Sequence, residues 1–136
     1  MPVRKVSYID LKVPNRASQA AQVLQALEEA GVNLLAFTGF PDKAGKSQID
    51  LVTNDLAGVR RVARKQDWKL RKAKRGFLVQ GTNRVGAVHR QIRKLADQRI
   101  NITALDAVAA GKGQYGMILW VKPKDYARAA RALGAR

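Results

Sequence analysis

Shifted by 68 residues, the chain lies on itself without a gap. Asn15-Arg16-Ala17-Ser18 falls on Asn83-Arg84-Val85-Gly86, Leu27 on Leu95, and Val32-Asn33 on Ile100-Asn101. Ala36 meets Ala104, Gly45 meets Gly113, Leu51 meets Leu119 and Arg60 meets Arg128. A repeat of this length means two copies of one small unit, so whatever the unit does is expected twice. The 136 residues divide into a first unit at 1–73 and a second at 74–136. Units this small bury little surface alone, so they are expected to share an interface or pair with another chain.

Each copy reads as alternating strands and helices. Lys5–Val13 alternates as a half-buried strand and ends at Pro14. Ser18 is placed as a helix N-cap ahead of Ala20, Val23, Leu24 and Leu27, and Gly31 suits a left-handed stop after that helix. Leu34–Phe40 and Ser47–Thr53 form a strand pair around the turn Pro41–Gly45. Asn54 or Asp55 can cap a second helix with Leu56, Val59, Val62 and Ala63 inward, and Trp68–Ala73 is a short fourth strand. The unit is βαββαβ, an α+β ferredoxin-like plan with helices on one face of an antiparallel sheet. In the second copy Gly76–Gln80 is a strand, Val85–Gln98 a helix, Ile102–Ala109 and Gln114–Val121 a hairpin, and Pro123–Leu133 a helix. Arg136 falls on Trp68, so this copy reads βαββα and lacks its last strand.

That omission leaves Gly76–Gln80 as an expected unpaired edge, open to another chain. With Met117, Leu119 and Val121 inward, Leu78, Ile118 and Trp120 point outward, where the first copy carries Asp10, Lys12 and Asp50. The second copy is therefore expected to hold a self-association surface, which predicts a homodimer.

The chemistry-bearing residues do not assemble an enzyme. Cysteine is absent and His89 is the single histidine, which excludes disulfides, thiolate metal sites and a histidine metal cluster. No carboxylate pair recurs between the copies, and no metal or other cofactor is expected. Without a secretory or transmembrane run the reading is a cytoplasmic protein with no membrane partner. The asparagines do recur. Asn15 and Asn83 precede helix N-termini, whose free N–H groups favour a carboxylate. Asn33 and Asn101 follow the same helices. An amide supplies donors and an acceptor, which suits a small zwitterion such as an amino acid, although asparagine also favours turns for its own backbone reasons.

Strand, Asn-Arg turn, amphipathic helix, Gly-Val-Asn and strand pair together resemble an ACT domain, and the whole chain resembles a tandem ACT protein. The resemblance implies an amino-acid-binding regulatory protein whose domains assemble side by side, with ligands at the interfaces. The turn is similar to that of the serine-sensing domain of phosphoglycerate dehydrogenase. That similarity implies ligand contacts at Asn15, Arg16, Ser18 and Asn33 in one copy and at Asn83, Arg84, Gly86 and Asn101 in the other. The chain departs from that pattern at Ala17-Ser18 and Val85-Gly86, at Val13 and Gly81 in place of a histidine, and at Arg99 in place of glycine. Because Gly86 is kept, the turn at Asn83 is the favoured site.

Charge is unevenly shared. Residues 1–67 carry +3 and residues 68–136 carry +13 of a total of +16. Arg60, Arg61, Arg64, Lys65, Lys69, Arg71, Lys72, Lys74 and Arg75 form a run across the unit junction that could meet an acidic protein or a nucleic acid. The alternative reading is thus a basic nucleic-acid-binding or scaffold protein on the same fold, without a ligand.

Overall fold

The computed structural model describes residues 3–136. In chain order it contains β1 (Val3–Pro14), α1 (Ala17–Glu29), β2 (Ala36–Pro41), β3 (Lys46–Thr53), α2 (Leu56–Gln66) and β4 (Lys74–Thr82). Then come α3 (Ala87–Asp97), β5 (Ile102–Gly111), β6 (Gln114–Val121) and α4 (Tyr126–Leu133), the last preceded by a single 3-10 turn. The α+β order expected from the repeat is present, and the chain forms two compact units. One is Ser7–Lys74. The other combines Val3–Val6 with Arg75–Arg136.

In the unit Ser7–Lys74 the strands lie in the order β2-β3-β1, antiparallel, with Ile9 opposite Leu51 and Leu11 opposite Ile49. Those four residues meet Val23 and Leu27 of α1 and Val59 and Val62 of α2 in one apolar core. Each such buried side chain stabilises the fold by about 1.5–3 kcal/mol relative to exposure. The expected fourth strand at Trp68–Ala73 is not a regular strand. Asp67 turns left-handed at φ 58° to end α2, Trp68 N–H bonds back to the Ala63 carbonyl, and Arg71 N–H reaches the Asp10 carbonyl at 2.9 Å. The segment lies against β1 too sparsely to form a ladder.

The other unit contains β4-β6-β5, with β1 as the neighbour of β4. No strand follows α4, as the sequence suggested, but the expected free edge at Gly76–Gln80 does not exist. The beginning of β1 belongs to this unit. Val3 is 2% exposed in the same core as Phe77, Val79, Leu95 and Leu119. Arg136 N–H donates to the Val3 carbonyl and Lys5 N–H to the Arg136 carbonyl, each at 2.9 Å. The missing strand is thus drawn from the opposite end of the chain.

Helix ends follow local chemistry. Ser18 is not the N-cap of α1. Arg16 holds that position, because Arg16 N–H turns back to the Pro14 carbonyl and Gln19 N–H already bonds the Arg16 carbonyl. The cap of α2 is Asp55, whose Oδ1 accepts the Gly58 N–H at 2.8 Å. At the end of α1, Val32 N–H bonds the Leu27 carbonyl and Gly31 N–H the Glu28 carbonyl, with Gly31 at φ 72°. The end of α3 repeats this with Ile100 to Leu95 and Arg99 to Ala96, so Arg99 takes φ 56°. These are Schellman motifs.

The outward faces also differ from expectation. Asp10 and Asp50 are each 1% exposed, Ile118 6% and Trp120 8%. Ile118 and Trp120 are buried, so they do not form the exposed self-association surface the sequence suggested. No helix among the described residues is long and apolar enough to cross a membrane.

Candidate functional site

The turn after the first strand is tied to the neighbouring hairpin by the same backbone bond in both units. Asn15 N–H donates to the Gly45 carbonyl and Asn83 N–H to the Gly113 carbonyl, both at 2.8 Å. Each asparagine therefore clasps the glycine of the neighbouring hairpin turn with its backbone, which leaves its side chain for other work. The Asn15 amide oxygen accepts from Ser47 Oγ at 3.0 Å. An amide oxygen retains a second lone pair after one such bond.

Beside this turn lies a cavity of about 370 Å³. Val13 and Ile49 line it from the sheet, Ala20 from α1, and Phe37, Gly39, Phe40 and Pro41 from β2. Its polar lining is Asn15, Arg16, Gln19 and Ser47. A volume in this range suits a small ligand, and an apolar body with a few convergent polar groups is the usual make-up of such sites. Sequence reasoning found Asn15 and Arg16 but missed Gln19, Ser47 and the β2 aromatics. The signal available was Phe37 and Phe40 standing near the turn on a strand of mostly apolar residues.

The remaining expected contacts lie elsewhere. Ser18 is exposed on the first turn of α1 and does not line the cavity. Asn33 is exposed beyond the far end of α1, beside a separate open depression with Leu24, Glu28 and Gly31, and its carbonyl accepts from Thr53 Oγ1 at 2.7 Å. A helix of 13 residues separates Asn15 from Asn33, a length of about 20 Å. One small ligand cannot touch both within one unit. The same holds for Asn83 and Asn101 across α3.

In the other unit Asn83, Arg84 and Asn101 are exposed and Gly86 sits at φ 81° before α3. Here the position of Ser47 is taken by Tyr115, opposite Gly81, as Ser47 is opposite Val13. Tyr115 is 5% exposed and packs into the core with Met117 and Val79, while Ala87 and Val88 of α3 pack against the same cluster. A large buried ring thus stands where the other unit has the small Ser47.

The basic run lies on a different surface. Arg60, Arg61, Arg64 and Lys65 are exposed on α2, and Lys69, Arg71, Lys72, Lys74 and Arg75 are exposed after it. A depression of about 620 Å³ beside Arg60, Arg64, Asp67, Trp68 and Lys72 opens there. Part of the charge is already engaged. Arg71 Nε meets Asp10 Oδ1 at 2.7 Å, Lys74 Nζ meets Asp10 Oδ2 at 3.7 Å, and the Arg75 guanidinium lies 4.0 Å over the Tyr126 ring.

The fold so built is a tandem of two ferredoxin-like units to which strand β1 contributes at both of its ends. Among solved structures the chain is similar to protein BT0572 from Bacteroides thetaiotaomicron, at TM-score 0.82 and 12% identity over 97% of this chain and 88% of that one. It is also similar to the regulatory subunit of aspartate kinase from Thermus thermophilus in its ligand-free form, at TM-score 0.64 and 17% identity, covering 98% and 95%. The structure of aspartokinase alpha and beta subunits matches at TM-score 0.65 and 15% identity, covering 98% and 95%. No protein-family model matches the chain, and no curated protein does. At these identities the likeness is one of fold.

Proposed function

We propose that this chain is a non-enzymatic regulatory protein that binds an amino acid in the unit Ser7–Lys74. The observation that carries the reading is the cavity at Asn15 and Arg16, at the start of α1. Arg16 can hold the ligand's carboxylate through its guanidinium, and the Asn15 amide oxygen can accept from its ammonium group. The solved structure of the regulatory subunit of aspartate kinase from Thermus thermophilus supports the reading through its shared fold. Because the bulky Tyr115 stands at the Ser47 position beside Asn83, Arg84 and Gly86, one ligand per chain is expected. Asn33 and Asn101 can contribute to a bound ligand only from across an interface.

Occupancy is passed on by association with a second copy or another protein. The self-association edge is β5, which pairs with β6 on one side and is exposed along nearly its whole length, with Val108 67% exposed. It bears a single charged residue, Asp106, and such an edge is a template for strand pairing. The exposed basic run favours a second reading as a polyanion-binding protein. Calorimetric titration of the full chain against the standard amino acids tests the first. The expected result is binding of one ligand per chain, weakened roughly tenfold or more by Arg16→Ala, as loss of a charge-assisted contact implies. No heat from any amino acid, with a folded protein, overturns the sensor. Retention of single-stranded nucleic acid at about 0.2 M salt would then favour the second reading.

A further inference from the structure

We infer that the amino acid taken by the cavity at Asn15 has an apolar side chain, either branched aliphatic or aromatic. The inference rests on the reading just given and specifies its ligand. Arg16 is the only charged residue among those lining the cavity, and no carboxylate lines it. The site therefore matches one ligand carboxylate and offers nothing to a second charge on the ligand. A lysine side chain would place its ammonium near Arg16 with no counter-charge. A glutamate side chain would leave a carboxylate against Phe37 and Phe40, and burying an unpaired charge is costly.

Size and surface select in the same direction. Val13 and Ile49 are at most 7% exposed and form the inner wall, while Phe40 stands 47% exposed at the mouth, where a bound apolar group would cover it. Aromatic rings pair favourably with a second ring or with branched aliphatic groups. A serine ligand would leave this wall wetted. The neighbouring Ser47 hydroxyl is already donated to Asn15.

Titrating the full chain with L-leucine, L-phenylalanine, L-serine, L-lysine and L-glutamate tests the inference. Leucine or phenylalanine is expected to bind at least roughly tenfold tighter than the other three, the least that covering one apolar side chain supplies. Phe40→Ala, at a half-exposed position that does not support the core, is expected to weaken that binding several-fold without altering the unfolding midpoint. If serine, lysine or glutamate binds as tightly as the apolar ligands, the apolar class is overturned and the sensor reading stands. If none of the standard amino acids binds, the sensor reading itself fails. Leucine or phenylalanine binding untouched by Phe40→Ala places the ligand elsewhere and overturns the inference.

Discussion

Two aspartates show how far a residue's role depends on what covers it. Asp10 and Asp50 face each other directly in the β1–β3 ladder and are both buried. Arg71 neutralises the first, while Thr38 Oγ1 at 2.7 Å and Gln48 Nε2 at 3.0 Å donate to the second. The alternation of β1 and β3 marks both as outward, but no pattern in one strand tells whether its outer face is wet. Beside them, Tyr8 has its phenol pKa pushed up from 10.0 to about 12, by burial first and then by Asp50 and Asp10. Below pH 10 the phenol is protonated whether the chain is folded or not. Between pH 10 and about 12 the unfolded chain releases this proton and the native chain keeps it, so stability falls as pH rises. Urea unfolding of wild type and Tyr8→Phe across that window should show wild type losing on the order of 2 kcal/mol more than the variant. Equal slopes would dismiss the coupling. Arg99 offers a second test, since it takes a left-handed conformation that Gly31 takes freely in the other copy. Arg99→Gly is expected to stabilise by about 0.5 kcal/mol, read from the same unfolding curves.

Elements were legible where their signals are local and blurred where they depend on partners. The periodicities of α1, α2, β3 and β6 gave those elements within a residue or two, because capping and burial are written in neighbouring side chains. Trp68–Ala73 misled, since its strand-like pattern ends against Asp67 and finds little ladder to join. The asparagines are visible as a repeated pair, yet a whole helix separates them in space, and the cavity needs Phe37 and Phe40 from β2. β5 is the element that now carries the association prediction. Val108→Lys on this edge should leave the unfolding midpoint unchanged and weaken self-association at least tenfold, because charge on an edge opposes strand pairing. Analytical ultracentrifugation of both proteins checks it, and an unchanged dimer would move the interface off β5.

At the scale of the whole molecule, the repeat held more than was first read from it. Val3–Val6 falls on Arg71–Lys74 under the same 68-residue shift. Arg71 lies beside Asp10 in one unit and Val3 is buried in the core of the other, so each copy properly begins a few residues upstream of its apparent first strand. Counting strands from the start of the alternation hid this, because a strand that serves two units looks like one long strand. Deleting residues 1–6 is expected to remove about 3–5 kcal/mol from the unit containing Arg75–Arg136, the worth of two buried valines and their backbone bonds. Hydrogen exchange should then quicken at Met117–Val121 and stay slow at Leu51 and Val52. Uniform quickening would mean the two units unfold as one.

The placement of Val3–Val6 also sets a timetable for synthesis. Everything needed for the core of Ser7–Lys74 has been made once Lys74 leaves the ribosome, and domains tend to fold in the order they emerge. Val3–Val6 is made ahead of that unit yet has nothing to close upon until Arg75–Arg136 follows. Throughout that interval Val3 stays without the core that buries it. The later unit is completed by residues made before the earlier one.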